Sequence, residues 1–349
     1  MIPPRKSVGE VTPYPLNPGT RRDKIRLDLN ESAWGCSPKV LEALRRIERM
    51  DVSTYPVYHD FLSQIAAQRN LPPENIMITN GADDAIRILM QTYIEPGDEV
   101  VVAEPSFGMI TLQARIAGAT LRPVRYGSDL AFPVEGFRAV LNSKTRLLAI
   151  VRPDSPTGGR IRRADLIDLL REAPQAVVML DETYWHFCGE SCVDLLAEYP
   201  NLVILQSFSK AYGLAGMRLG MVFAAAESIA EYRKVNPPFS VNALAMLAGM
   251  AALADQAYLE EVLQAVETEK AYLAERMNSL GLETRTSPAN FVLAHIGAEA
   301  DRVHTALMAQ NIFVKNLSSQ PPLEGWFRIT AGTRRENDIL LNALKEILS

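Results

Sequence analysis

Cysteine is scarce in this chain. Cys36, Cys188 and Cys192 form an odd set at spacings that match neither a disulfide framework nor a paired CxxC zinc site, which fits a reducing cytoplasm. His186-x-Cys188-x3-Cys192 offers three ligating side chains, yet no fourth stands at a suitable distance, so no metal is assigned. There is no stripe of lysine and arginine to neutralise a nucleic-acid backbone, and the formal net charge is −5. No apolar run reaches the roughly 20 residues a membrane span needs. The longest, Val241 to Ala254, is interrupted by Asn242 and Gly249 and reads as a buried helix. The start of the chain is a proline-rich polar arm without the apolar centre of a signal peptide, so export is not expected. With nucleic acid and membrane set aside, small-molecule chemistry in the cytoplasm is the expectation.

What is present is a long alternation of apolar strand-like runs and helical patterns. Ile76–Thr79, Glu99–Ala103, Thr120–Val124, Leu147–Val151, Val177–Asp181, Leu202–Gln206 and Gly220–Phe223 read as strands. Seven such runs imply an α/β fold with a large domain built on a mostly parallel seven-stranded sheet. After about Ala254 the pattern changes to a long charged helix, Tyr258 to Leu280. Short strands Asn290–Ile296 and Trp326–Thr330 follow, then a last helix from Arg335, which reads as a smaller α+β domain. The expected division is residues 36–254 for the large domain, and 1–35 with 255–349 for the arm and small domain. Pro3, Pro4, Pro13, Pro15 and Pro18 make residues 1–35 an irregular arm that cannot form a core alone.

Several segments place polar chemistry at strand ends, where open α/β sheets bind ligands. Asn80-Gly81-Ala82-Asp83-Asp84 lies between the strand Ile76–Thr79 and a helical run beginning at Ala85. A helix start there suits a phosphate ester, although an ordinary turn cap reads the same way. Asp181 ends its strand and can either cap the next turn or hold a pyridine nitrogen protonated, making that ring an electron sink. Gln206 to Gly220 packs Ser207, Ser209, Lys210, Arg218 and three glycines into one loop. The two hydroxyls and the guanidinium can ligate a phosphate dianion, while Lys210 supplies an amine for an imine. Phe107 can stack on an aromatic ring or simply pack in the core. Arg328 can hold a carboxylate through its guanidinium fork or sit in a surface ion pair. No Gly-x-Ser-x-Gly elbow accompanies the serines, so a hydrolase is a poor fit.

In order and content these segments resemble the fold-type I pyridoxal-phosphate (PLP) enzymes, and within them the histidinol-phosphate aminotransferase group. The likeness runs through Thr12-Pro13-Tyr14, Leu29-Asn30-Glu31, Tyr55-Pro56, Gly81-Ala82-Asp83, Pro105-Ser106-Phe107-Gly108-Met109, Pro156-Thr157-Gly158, Asp181-Glu182-Thr183-Tyr184, Ser207-Phe208-Ser209-Lys210, Arg218 and Arg328-Ile329-Thr330. The resemblance implies a PLP-dependent aminotransferase that moves an amino group from an amino acid or amino-alcohol phosphate, histidinol phosphate or aromatic-like, to a keto acid. It implies that Lys210 forms the Schiff base and then moves the Cα proton, that Asp181 pairs with the ring nitrogen, Tyr184 with the ring hydroxyl, and that Phe107 stacks on the ring. Gly81, Ala82, Asp83, Ser207, Ser209 and Arg218 would hold the phosphate, with Tyr55 reaching it from the partner subunit of a homodimer. Arg328 would bind the substrate's carboxylate or phosphate, and the arm around Tyr14 and Asn30 would close over it.

The chain departs from the group's pattern at two places. Where the group reads Pro-Asn-Asn-Pro-Thr-Gly, with the second asparagine on the ring hydroxyl, this sequence reads Pro153-Asp154-Ser155-Pro156-Thr157-Gly158, so Ser155 would reach that oxygen poorly or through water. Lys315 stands where the histidinol-phosphate group tends to carry an arginine, and attracts an anion without the bidentate fork. The stacking residue, usually tyrosine, is Phe107. The alternative reading is a decarboxylase or lyase on the same scaffold, of the threonine-phosphate decarboxylase kind.

Overall fold

A computed structural model describes residues 2–14 and 21–349. Among the described residues twelve strands form two sheets. In chain order they are β1 (Ile25–Leu27), β2 (Ile76–Thr79), β3 (Glu99–Glu104), β4 (Thr120–Arg125), β5 (Thr145–Val151), β6 (Val177–Asp181), β7 (Leu202–Ser207), β8 (Gly220–Phe223), β9 (Thr284–Thr286), β10 (Phe291–His295), β11 (Ile312–Asn316) and β12 (Trp326–Thr330).

The larger sheet runs β2-β8-β7-β6-β5-β3-β4. Its central pairs are parallel, whereas β8 lies antiparallel to both β2 and β7. The inner strands read as unbroken apolar runs because both faces are covered. Along β5, Leu148 and Ile150 enter one hydrophobic core while Leu147, Ala149 and Val151 enter the other, as the two-residue period of a strand requires. All seven expected strands are present, four of them extended by one or two residues. The apolar stretch near Val241 is the helix Ala243–Leu253, started by the Asn242 side chain, which accepts from the Ala245 N–H at 2.8 Å.

The second sheet runs β1-β11-β12-β10-β9. One face packs on the helices Gln256–Ser279, Ala300–Ala309 and Arg334–Leu348 through Leu273, Met277, Val303 and Leu340, which meet Val292, Phe327 and Ile329. Two expectations need correcting here. Residues 1–35 are not irregular throughout: Lys6–Gly9 is a short helix, and β1 pairs in parallel with β11, with Ile25, Arg26 and Leu27 opposite Ile312, Phe313 and Val314. The arm therefore supplies an edge strand to the second sheet, and Pro3, Pro4 and Pro13 lie outside that strand; Pro15 and Pro18 are outside the described residues. Strands β9 and β11 were also not expected. Among the described residues no helix is long and apolar enough to cross a membrane.

Candidate active site

The loop between β7 and β8 is closed at its base by the ladder. Ser207 is opposite Gly220, and the Phe208 N–H donates to the Leu219 carbonyl at 3.0 Å. Ser207 and Ser209 are buried, and the Ser209 N–H donates to the Ser207 hydroxyl at 3.1 Å. Gly213 is required where the loop meets the arm, since a Cβ there would stand 2.2 Å from the Gly35 carbonyl oxygen. Lys210 projects from this loop. Its Nζ donates to the Leu29 carbonyl at 2.8 Å and stands 5.9 Å from the centre of the Tyr184 ring.

Because β8 also pairs with β2, with Thr79 opposite Gly220, the end of the loop meets the start of the helix Ala82–Tyr93. That helix begins at Ala82, three residues before the expected Ala85, because Gly81 at φ +82° turns the chain directly out of the strand. Asp83 and Asp84 sit in its first turn, complementing the helix dipole. Arg218 donates from Nη2 to Asp83 at 3.0 Å, and a Cβ on Gly81 would lie 2.8 Å from the same Nη2. Gly81, Asp83, Ser207 and Arg218 are thus brought together from two chain segments at the start of this helix, with Ala82 and Ser209 adjacent in sequence, an arrangement suited to an anion.

Asp181 ends β6 and is 3 % exposed. The Thr183 N–H donates to its Oδ1 at 2.9 Å, and it has no ion-pair partner among the described residues. Desolvation pushes its carboxyl up to about 6, against the hydrogen bonds from Thr183. A buried carboxylate without a cation calls for a positive partner from outside the chain, which a protonated pyridine nitrogen is. Tyr184 follows, buried, its hydroxyl accepting from Asn30 Nδ2 at 2.8 Å. Phe107 is half-buried at the start of the helix Gly108–Ala117, and the ring of Tyr14 comes within 3.4 Å of where a Gly108 Cβ would be.

Arg328 and Lys315 face each other across β12 and β11. Arg328 Nη1 donates to Ser155 Oγ at 2.6 Å and Nη2 to the Asp28 carbonyl, while its buried Nε has no partner. Ser155 is accordingly tied to the arginine. Desolvation lowers the proton affinity of both cations, and their mutual repulsion lowers that of Lys315 further, with Asp28 opposing. Burial raises the Tyr14 hydroxyl, with the Arg328 charge opposing. Tyr55 lies elsewhere on this chain, 75 % exposed and stacked on Phe239 with ring centres 4.4 Å apart. His186 packs against Trp185 and Tyr212, and burial pushes the Cys192 thiol up to about 12, so neither is poised as a ligand.

Hydroxyls and a guanidinium near a helix start, a buried carboxylate without a cation and a lysine amine in the same loop suit pyridoxal phosphate. The sequence profile of the family described as aminotransferase class I and II matches residues 22–344. The chain belongs to that family. It is a PLP-dependent enzyme of fold type I, an aminotransferase of the histidinol-phosphate aminotransferase-like group. The histidinol-phosphate aminotransferase of Symbiobacterium thermophilum is 38% identical over 333 residues, covering 93% of this chain and 91% of that one. The enzyme of the same name from Thermoanaerobacter sp. is 31% identical over 329 residues, covering 93% of each. The structure of the Sinorhizobium meliloti histidinol-phosphate aminotransferase in complex with pyridoxal-5'-phosphate superimposes with a TM-score of 0.91 at 26% identity, over 99% of this aminotransferase and 97% of that chain. The L-threonine-O-3-phosphate decarboxylase of Porphyromonas gingivalis, at 22% identity and a TM-score of 0.80, shares the fold; it covers 92% of this chain and 98% of its own.

Sequence reasoning named Asn30 as part of the closing arm but missed its contacts with Thr330, Asn290 and Tyr184. Asn30, at φ +53°, accepts from Thr330 Oγ1 at 3.1 Å, and its own N–H donates to that oxygen at 3.0 Å. Asn290 Nδ2 donates to the Asn30 carbonyl at 3.2 Å. One buried asparagine thereby joins the arm, the second sheet and Tyr184. Only the left-handed conformation at Asn30, which asparagine tolerates, carries a local signal for it.

Proposed function

We propose that the enzyme takes its amino group from a small donor bearing an anionic group, histidinol phosphate or an amino acid with an aromatic-like side chain, and passes it to a keto acid. The observation that carries this reading is the pair Arg328 and Lys315: two desolvated cations side by side, one with a buried, unpartnered Nε, are suited to an incoming carboxylate or phosphate. Histidinol phosphate is the compound named by the relatives above, which supports it.

In this reading Ala82, Asp83, Ser207, Ser209 and Arg218 hold the cofactor phosphate, Asp181 keeps a proton on the ring nitrogen, and Phe107 lies against the ring. When bound, pyridoxal phosphate supplies an aldehyde carbon for the donor's nitrogen and a protonated ring that takes up the electron pair released at the donor's Cα. The Lys210 amine would hold the cofactor through that carbon and, once freed by the donor's nitrogen, would act as the base that takes the Cα proton. Tyr184, oriented by Asn30, directs its hydroxyl to the ring oxygen, with Ser155 nearby on Arg328. Tyr14 closes over the donor and excludes water. Residues 36–254 are the cofactor-binding unit, and 1–35 with 255–349 the substrate-closing one. The exposed Tyr55 and Phe239, with Met50, Val52 and Val57, support a homodimer in which Tyr55 reaches the partner's phosphate site. A cytoplasmic place fits the unpaired cysteines.

The test mixes the purified enzyme with single donors and no acceptor while following the cofactor's visible absorbance. Conversion of the band with release of a keto product, by histidinol phosphate or an aromatic amino acid, supports the reading. Carbon dioxide release with recovery of the band would replace it by decarboxylation. Lys210→Ala should lose both the band and turnover; full turnover in that variant would sink the assigned role.

A further inference from the structure

Beside Asp181 lies a second buried carboxylate that the reaction above does not use. Asp154 has no solvent exposure. It stands just beyond Val151, whose register partner is Asp181, and the intervening Arg152 N–H donates to the Asp181 carbonyl at 2.8 Å. Each of its oxygens is taken by a hydroxyl: Ser106 Oγ donates to Oδ1 at 2.8 Å and the Tyr126 OH to Oδ2 at 2.7 Å. Its backbone is fixed too, the N–H donating to the Gly159 carbonyl at 2.7 Å and the carbonyl accepting from Gly158 at 2.9 Å. The segments after β3, β4 and β5 are therefore tied together at one carboxylate.

Two neighbours give this tie a consequence. Ser106 precedes Phe107, and Asp154 precedes Ser155, the residue that accepts from Arg328. A neutral asparagine would serve as a tie without the cost of burying a charge. An ionisable carboxyl stands there instead, with two hydroxyl donors and no ion-pair partner among the described residues.

We propose that Asp154 is a positioning residue for the cofactor ring, fixing Phe107 through Ser106 and Ser155 through the chain, and adding a second negative charge to that of Asp181 in keeping the ring nitrogen protonated. This rests on the assignment of Phe107 and Asp181 to the ring made above. The ionisable groups acting on Asp154 are Tyr126, which donates to it, and Asp181, which repels it. Desolvation raises its carboxyl to about 7, the donors Tyr126, Ser106 and the Ser155 N–H oppose this, and Asp181 adds to it. Asp154 thus changes charge near neutral pH, so its effect on the ring is itself pH-dependent.

The test is a pH titration of the bound cofactor's visible absorbance, together with the PLP dissociation constant, for the wild type, Asp154→Asn and Tyr126→Phe. Asp154→Asn keeps the shape while removing the charge. Its absorbance midpoint should fall by about one pH unit and its Kd for PLP rise about tenfold, with little change in Tm. Tyr126→Phe removes a donor that favours the ionised carboxyl and should move the midpoint in the same direction by a smaller amount. Superimposable titrations and equal Kd values for wild type and Asp154→Asn would overturn the proposal; if that variant does not fold, an unmoved midpoint in Tyr126→Phe does so. Asp181→Asn separates the two assignments. If it binds PLP as the wild type does, the placement of the ring is wrong; if it weakens binding while the Asp154 variant is silent, the role of Asp154 alone fails.

Discussion

The buried carboxyl of Asp181 makes the stability of the cofactor-free enzyme fall as pH rises. Its folded value, about 6, is above the ordinary 3.8, a shift of a little over two units or about 3 kcal/mol. Because the folded chain binds the proton more tightly than the unfolded one, this contribution is fully present below about pH 4 and lost as pH climbs through about 6. Between roughly pH 4.5 and pH 7.5 the loss from this one group is about 2 kcal/mol. Urea unfolding of cofactor-free protein at those two values, for wild type and Asp181→Asn, isolates it, since the asparagine keeps the size and cannot ionise. The wild type should lose about 2 kcal/mol more than the variant over that interval. Asp154, raised to about 7, tilts both proteins in the same direction and largely drops out of the difference. Saturating PLP should flatten the wild-type slope and leave the variant's unchanged, because the ring's positive charge compensates only an ionised partner. Equal slopes in wild type and variant would refute the assignment of an uncompensated charge to this position.

Other perturbations test separate parts of the site. Gly81→Ala forces a Cβ into a conformation at φ +82° and ψ 169° that is almost confined to glycine, at a cost of about 1–3 kcal/mol, and pushes on Arg218; the Kd for PLP, measured by equilibrium dialysis, should rise at least about tenfold. Asn30→Ala strips partners from Thr330 and Tyr184 and should destabilise the enzyme by about 2–3 kcal/mol in urea while shifting the cofactor's absorbance midpoint. Lys315→Ala should raise KM for an anionic donor by about tenfold with a smaller effect on kcat, as removal of one charge from a desolvated pair implies, and a Michaelis constant unmoved in steady-state assays would take Lys315 out of the substrate site.

The large sheet was legible because its strands are buried on both faces, so Val100–Val102, Leu147–Val151 and Leu202–Leu205 stand out as apolar runs without needing a period. The candidate site residues stood out in the sequence for a related reason: Asp181, Lys210 and the Gly81 segment each end or follow such a run. Strands β1 and β9 were not legible, since Ile-Arg-Leu and Thr-Arg-Thr are three residues each, too short for a period to show, and their pairing comes from neighbours elsewhere in the chain. The same limit hid what holds the site. Asn30 with Thr330, and Ser106 with Asp154, are contacts across long sequence separations between polar residues that show no local pattern. Ser155 illustrates the point: its identity marked a departure, but its hydrogen bond to Arg328 depends on how two sheets meet.

The closed loop between β7 and β8 has one more consequence. Lys210 and Arg218 belong to a single short segment whose ends are pinned opposite each other in the ladder. If, as proposed, the guanidinium grips the phosphate, a ligand held there would be delivered to the amine at the other end with little freedom left to lose. The affinity for the phosphate would then be converted into effective molarity of the lysine, so that a fragment lacking the phosphate should react slowly with Lys210.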